Sequence, residues 1–221
     1  MDWIFDKPEL ASFRIADLQL GDCVLAVCEV ADYRDSLVGT ELDALGNMSA
    51  MRRQRSYTSG RHCVRLAQRS LGLELAAIER EERMPLWPQG SGSITHSDNY
   101  AACVLSTAQT GLGLDMEEFG RVDEPLWRLV FTEQEKRNMS SDLATIAFSA
   151  KEAGYKAIYP HGRKFINFHE AEVDIDTASQ TFSIRYLGEH PPNQALNEGQ
   201  GAYQIAHGHV LTFFCIDLCR P

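Results

Sequence analysis

Two carboxylates two positions apart, Asp115 and Glu117, close the stretch Gly111-Leu112-Gly113-Leu114-Asp115-Met116-Glu117. Leu112, Leu114 and Met116 alternate with Gly111, Gly113, Asp115 and Glu117, which is the period of a strand with one buried face. Side chains on one face are two rises apart, so both carboxylates emerge on the same side, about 7 Å from each other. Like charges so placed repel. Solvation at a sheet edge relieves the repulsion, and so does a cation between them. For oxygen ligands alone the fitting cation is Mg²⁺, which takes one or two carboxylates and fills its shell with water and substrate phosphates. Gly111 and Gly113 carry no side chain and leave room for a ligand against the backbone.

Other chemistry-bearing groups lie on both sides of this strand. Arg52, Arg53, Arg55, Arg61, Arg65 and Arg69 crowd one segment of an acidic chain. They read either as a solvated helix face or as an anion site, since the guanidinium fork suits phosphate. His96 falls at the end of a short strand, just before the hairpin that leads to the carboxylates. Phe148, Glu152, Tyr155 and Tyr159 share a face at helical spacing, and Glu152 precedes Lys156 by four residues, the favourable order for a helical ion pair. His207 and His209 flank Gly208 in what reads as an exposed turn.

The elements that must position these groups follow from the pattern. Residues 1–20 read as irregular and 23–30 as an apolar strand. A helix starts near Ser49, carries the stripe Val64, Ala67 and Leu71, and ends at Gly72. A proline-punctuated loop covers 83–90. Residues 100–106 and 111–117 are strands joined by a turn. Short helical patterns cover 126–130 and 132–139, with Thr132 and Glu135 spaced for a capping box. A helix over 142–159 is stopped by Pro160. Strands at 171–175 and 181–187, a polar loop at 188–200 and a hairpin of 203–207 with 210–218 complete the chain. The two halves share an order of strand, helix and strand pairs, with a seam near 107–111.

Composition bounds the class. The chain has 221 residues, 44% apolar and 24% charged, enough for a substantial core in one large or two small domains. A net charge of −10 argues against nucleic acid as a partner. No stretch is apolar and long enough to span a membrane, and the N-terminus lacks an export signal core. The six cysteines form no Cys-x-x-Cys pair, and Cys23, Cys28, Cys103 and Cys215 lie in apolar runs. Buried free thiols in a reducing cytoplasm are expected.

Taken in order, four motifs resemble the 4′-phosphopantetheinyl transferases, in particular the two-halved bacterial type that includes enterobactin synthetase component D. They are Arg53 with Gly60-Arg61; Pro85-Leu86-Trp87-Pro88-x-Gly90 followed by Gly92-Ser93-Ile94-Thr95-His96; Gly113-Leu114-Asp115-Met116-Glu117; and Phe148-Ser149-Ala150-Lys151-Glu152-Ala153-x-x-Lys156. The resemblance covers about residues 50–160. It implies an α+β fold of two similar α/β halves packed as a pseudo-dimer about a pseudo-two-fold axis. The halves would be 1–107, with the coenzyme A nucleotide contacts, and 108–221, with the metal, the catalytic carboxylates and carrier docking. It also implies a monomer with coenzyme A in the cleft between the halves.

The implied reaction moves the phosphopantetheine arm of coenzyme A, the co-substrate, onto a serine of an acyl or peptidyl carrier protein. Adenosine 3′,5′-bisphosphate is the other product. Such carriers serve siderophore, fatty-acid, polyketide or nonribosomal peptide synthesis. By the resemblance, Asp115, Glu117 and Glu152 hold Mg²⁺, with Mn²⁺ as the alternative ion. Lys151 and Lys156 neutralise phosphate oxygens. Arg53 and Arg61 bind the 3′-phosphate and nucleotide, with Arg83 as an addition. His96 contacts the pyrophosphate or 3′-phosphate region, beside Thr95. Glu152 or a metal-bound water takes the serine proton. Two rivals use the same residues differently: a Mg²⁺-dependent phosphohydrolase with water as nucleophile, and a non-catalytic coenzyme A-binding protein. Docking of an acidic carrier on an acidic chain needs a local patch, expected at 155–164 with Lys156, Tyr159, Arg163 and Lys164.

Overall fold

The computed structural model describes residues 1–15, 22–82, 84–108, 110–137 and 139–217. These fall into two compact units, within Met1–Ser12 and Gln19–Gln109 for the first and within Phe13–Leu18 and Thr110–Pro221 for the second. Each lays one long helix on one sheet, and the fold class is α+β.

The first unit contains β1 (Asp2–Phe5), β2 (Cys23–Glu29), α1 (Thr40–Gly46), α2 (Met51–Ser70), the short pair β3 (Glu79–Glu81) and β4 (Met84–Leu86), β5 (Ser91–His96) and β6 (Tyr100–Ser106). Its main sheet runs β1-β2-β6-β5, with β1 parallel to β2 and the other pairs antiparallel. Alternate residues Val24, Ala26 and Cys28 of β2 and Ala101, Cys103 and Leu105 of β6 pack against Cys63, Val64 and Ala67 of α2. Helix α2 ends where Gly72 turns to φ +66°, with Leu73 N–H donating back to Gln68 O, the left-handed stop that glycine permits.

The second unit contains β7 (Gly111–Glu118), α3 (Glu124–Val130), α4 (Glu133–Lys136), α5 (Ser141–Gly162), β8 (Ala171–Asp176), β9 (Thr181–Tyr186), β10 (Gln200–Ala206) and β11 (His209–Ile216). The sheet is antiparallel in the order β7-β11-β10-β9-β8. Phe182, Ile184 and Tyr186 alternate inward from β9 and meet Ala150, Ala153, Ala157 and Ile158 of α5. The capping box opens α4: Thr132 accepts from Glu135 N–H, and Glu135 accepts from Thr132 N–H at 2.9 Å.

Four expectations change. Within residues 1–15 the N-terminal stretch carries β1 on the sheet edge and a 3₁₀ turn at Pro8–Phe13, while residues 16–20 lie outside the described residues. Helix α1 precedes α2, and the proline loop begins as the β3–β4 hairpin. Pro160 does not stop α5. It sits in the last turn, where losing one N–H costs little because the ladder is ending, and the helix closes at left-handed Arg163. The 188–200 segment contains a 3₁₀ helix, Pro191–Glu198. The described cysteines, Cys23, Cys28, Cys63, Cys103 and Cys215, are buried and free. No helix among the described residues is long and apolar enough to cross a membrane.

Candidate functional site

Helix α5 crosses β7 in matched steps. Four helical residues rise about 6 Å, and two strand residues rise about 6.6 Å. Running antiparallel, Ala157, Ala153 and Ser149 therefore fall on Gly111, Gly113 and Asp115 in turn. A Cβ on Gly113 would stand 1.7 Å from Ala153 O, and one on Gly111 would stand 2.8 Å from Ala157 O. The glycines thus admit the helix backbone, not a ligand as expected. Their absent side chains let α5 come close enough for short polar groups to span the gap one step further on.

That next step is polar. Asp115 is buried, and its two oxygens are held separately: Ser149 Oγ donates to Oδ2 at 2.8 Å, and Lys156 Nζ donates to Oδ1 at 2.7 Å. Lys156 also donates to Leu114 O at 3.0 Å, so two of its three donors serve β7. The lysine that sequence spacing paired with Glu152 reaches across to the strand instead. Glu117 is half-buried beside Arg121, whose Nη1 donates to it at 3.3 Å. Burial, then the Asp115 charge, push Glu117 up to about 7, while Arg121 and Lys156 pull the other way. Burial followed by Asp115 likewise raises Glu152 on α5 above the usual carboxylate range. Each of the three carboxylates thus lies in the field of another. Among the described residues no three His, Cys, Asp or Glu side chains are already gathered as a metal cage. The donor set is nonetheless all oxygen and mutually repulsive. That fits a hard divalent ion that keeps its waters and takes phosphate oxygens.

Lys151 does not join this group. Its ammonium is buried and donates to Val130 O at 2.9 Å, Glu135 Oε2 at 2.7 Å and Phe168 O at 2.9 Å, which uses all three donors. Desolvation lowers its pKa, against the pull of Glu135. The expectation that it neutralises substrate phosphate gives way to a lysine that ties α5 to α3, α4 and the 168–170 turn.

The first unit carries a cavity of about 750 Å³ whose lining includes Arg53, Tyr57, Arg61, Arg80, Ile94 and His96. It brings together Arg53, Arg61 and His96 from α2 and β5. Arg53 is exposed. Arg61 is nearly buried. Its Nη2 donates to Ile78 O at 3.0 Å, its Nε stands 3.1 Å from Glu41 Oε1, and its guanidinium lies 4.7 Å above the Tyr57 ring. Thr95 is buried on the opposite face of β5 from His96 and does not line the cavity. Arg83 lies outside the described residues. Arg65, read with the arginine-rich face, is fully buried and forms a two-pronged ion pair with Glu41 at 2.7 Å, so it belongs to the core.

Sequence reasoning missed Ser149, Thr212 and Glu41. Ser149 lies within a motif but was given no role, and its seven-residue spacing from Lys156 (about two helical turns) puts both on one face.

The second unit thus holds a buried carboxylate clasped by lysine and hydroxyl, with two further carboxylates in its field, and the first unit holds a cavity lined in part by arginines. The model of the 4′-phosphopantetheinyl transferase N-terminal domain matches residues 42–106, and that of the 4′-phosphopantetheinyl transferase superfamily matches 111–213. The chain is 31% identical over 183 residues to 4′-phosphopantetheinyl transferase Npt of Nocardia iowensis, covering 74% of this chain and 82% of that one. It is 27% identical over 180 residues to 4′-phosphopantetheinyl transferase PptT of Mycobacterium tuberculosis, covering 74% and 79%. Over 150 residues it is 31% identical to enterobactin synthase component D of Escherichia coli, covering 61% and 72%. The chain belongs to the 4′-phosphopantetheinyl transferase family.

Proposed function

We infer that this protein transfers the 4′-phosphopantetheine arm of coenzyme A to a serine of an apo carrier protein and releases adenosine 3′,5′-bisphosphate. The observation that carries this reading is the match of both halves, in order, to the two domain models of one transferase family. The same matches favour transfer over the phosphohydrolase and the non-catalytic binding protein. We propose that the 1–107 half takes the nucleotide end, through Arg53, Arg61 and His96, and that the 108–221 half takes the pyrophosphate.

In this reading Asp115, Glu117 and Glu152 would hold Mg²⁺, or Mn²⁺ in its place. When bound, the ion would supply charge neutralisation at the pyrophosphate. The carrier hydroxyl attacks the β-phosphorus, a new O–P bond forms, and the P–O bond to adenosine bisphosphate breaks. Glu152, on α5 and within the field of Asp115, accepts the hydroxyl proton. Lys156 offers its third donor to a phosphate oxygen and keeps one on Asp115 and one on Leu114 O. Lys151 has no part in this step.

The carrier docks, on this proposal, at the end of α5. Arg163, Lys164 and Phe165 are exposed there, and Phe165 meets Tyr155 edge-on with centroids 5.8 Å apart. Two cations and an aromatic ring suit an acidic helix with an apolar stripe. Charge reversal at Arg163 and Lys164 is expected to raise the carrier KM, and an unchanged KM rejects this surface. The free, buried cysteines support a cytoplasmic setting. A monomer is proposed, checked by sedimentation.

Intact-protein mass spectrometry tests the reaction. An apo carrier incubated with this protein, coenzyme A and Mg²⁺ is expected to gain the mass of one phosphopantetheine group, and EDTA or Asp115→Ala is expected to abolish the gain. Coenzyme A cleaved without carrier gain would establish the hydrolase. Coenzyme A bound but intact, over several carriers, would establish the binding protein.

A further inference from the structure

We propose that Ser149 and Thr212 are positioning residues that set the orientation of the Asp115 carboxylate for its ion; the inference rests on the proposed reading of Asp115 as a metal ligand. Thr212 on β11 is the cross-strand partner of Asp115 on β7. Ser149 lies above both on α5. Ser149 Oγ is 2.8 Å from Asp115 Oδ2 and 2.8 Å from Thr212 Oγ1, and Thr212 Oγ1 donates to Ser149 O at 3.0 Å. Ser149 and Thr212 are fully buried.

The proton directions in this chain are forced. An ionised carboxylate only accepts, so the single Ser149 proton goes to Oδ2. Ser149 Oγ then accepts, and Thr212 is the donor, its proton divided between Ser149 Oγ and Ser149 O. The second bond ties the Thr212 side chain to the α5 backbone, so the strand–helix spacing and the carboxylate direction are set by the same hydroxyl. With Lys156 on Oδ1 and Ser149 on Oδ2, the carboxylate plane is pinned from both oxygens. Hydroxyls that fix a metal-binding carboxylate in this way act on ion affinity through geometry, without touching the ion.

A merely structural role predicts a lower melting temperature and unchanged ion affinity in the folded state. The test is a Mn²⁺ titration, followed by the electron-spin signal of free Mn²⁺ with coenzyme A saturating, at a temperature where circular dichroism shows every variant folded. Thr212→Val keeps the side-chain shape and removes the hydroxyl; Thr212→Ser keeps the hydroxyl. Ser149→Ala and Thr212→Val are expected to weaken Mn²⁺ binding about tenfold or more, and Thr212→Ser is expected to stay close to wild type. Wild-type affinity in Ser149→Ala and Thr212→Val overturns the inference, as does Thr212→Ser binding as weakly as Thr212→Val. Asp115→Ala separates the two levels. If wild-type protein binds Mn²⁺ no better than Asp115→Ala, the metal reading fails and the positioning role falls with it. If Asp115→Ala abolishes binding while the hydroxyl variants bind normally, the positioning role alone is rejected.

Discussion

Replacing Lys151 by methionine separates the two roles this residue has been given. In the structure its ammonium satisfies Val130 O, Phe168 O and Glu135 Oε2, and it lies 5.4 Å from the Phe131 ring centroid. Methionine fills similar volume and removes all three donors. Glu135 would then keep only the backbone N–H groups of Thr132 and Val173, each at 2.9 Å, around a buried charge. Removing one partner of a buried pair costs about 3–5 kcal/mol, and the two surviving N–H bonds place the expected loss near the lower end, about 3 kcal/mol. For a chain of this size that lowers Tm by about 6–12 °C. Adding Glu135→Gln removes the stranded charge and is expected to return part of the loss. The assay is thermal unfolding of the wild type and the single and double variants, with steady-state KM for coenzyme A measured well below every Tm. The expected result is a large Tm drop with KM within a factor of about three, a change worth only about 0.6 kcal/mol. An unchanged Tm with KM raised tenfold or more would refute the structural role and return Lys151 to the phosphate.

Arginines on one helix separate in the same way. Arg53→Ala is expected to raise KM for coenzyme A and leave Tm unchanged, because the side chain is exposed in the cavity. Arg61→Ala is expected to raise KM and also destabilise by about 1–3 kcal/mol, since Glu41 and Ile78 O lose a partner. Equal Tm effects would show that the two arginines are not held differently. Gly113→Ala places a Cβ 1.7 Å from Ala153 O, so α5 must lift from β7. A loss of about 1–3 kcal/mol or more is expected in urea unfolding, together with weakened ion binding, and a neutral substitution would contradict the close approach. His62 stacks on Tyr33 at 4.0 Å and its Nδ1 is 2.8 Å from Ser36 Oγ. Burial lowers its pKa in the folded state, against the opposing pull of Asp6. As pH falls through the unfolded value near 6.5, the unfolded chain takes up a proton that the folded one resists, so stability falls. His62→Gln is expected to flatten the Tm–pH curve between about pH 7 and 5.5, and an identical curve would remove His62 as its cause.

The sequence shows position along the chain well and direction around a helix only when the wheel is drawn. The alternation of Leu112, Leu114 and Met116 with Asp115 and Glu117 is visible because a strand repeats every two residues, and the protein keeps it as β7. The glycines on that face were read as space, correctly, but a missing Cβ does not say who enters it. Only the small stripe Ser149, Ala153 and Ala157 on another element answers that, since small residues four apart let a helix backbone come near. The same wheel sorts the motif lysines. At about 100° per residue, Lys156 returns to within about 20° of Ser149, whereas Lys151 stands about 160° away. Adjacent motif letters thus face different neighbours: Ser149 and Lys156 meet Asp115, and Lys151 meets Glu135. What the wheel cannot supply is the partner on the far side. Glu135 reads locally as a capping-box residue, and Glu41 as an acid on a short helix. That each also anchors a buried cation, Lys151 or Arg65, depends on chain separations of 16 and 24 residues and on which side chains burial leaves without water. A buried cation requires a paired acid more strictly than a surface one. An arginine or lysine that the wheel turns toward the apolar stripe is therefore the sequence signal for such an anchor. On α5, Lys151 stands about 40° from the buried Ala147 and carries that signal, whereas on α2 Arg65 stands about 100° from Val64 and does not.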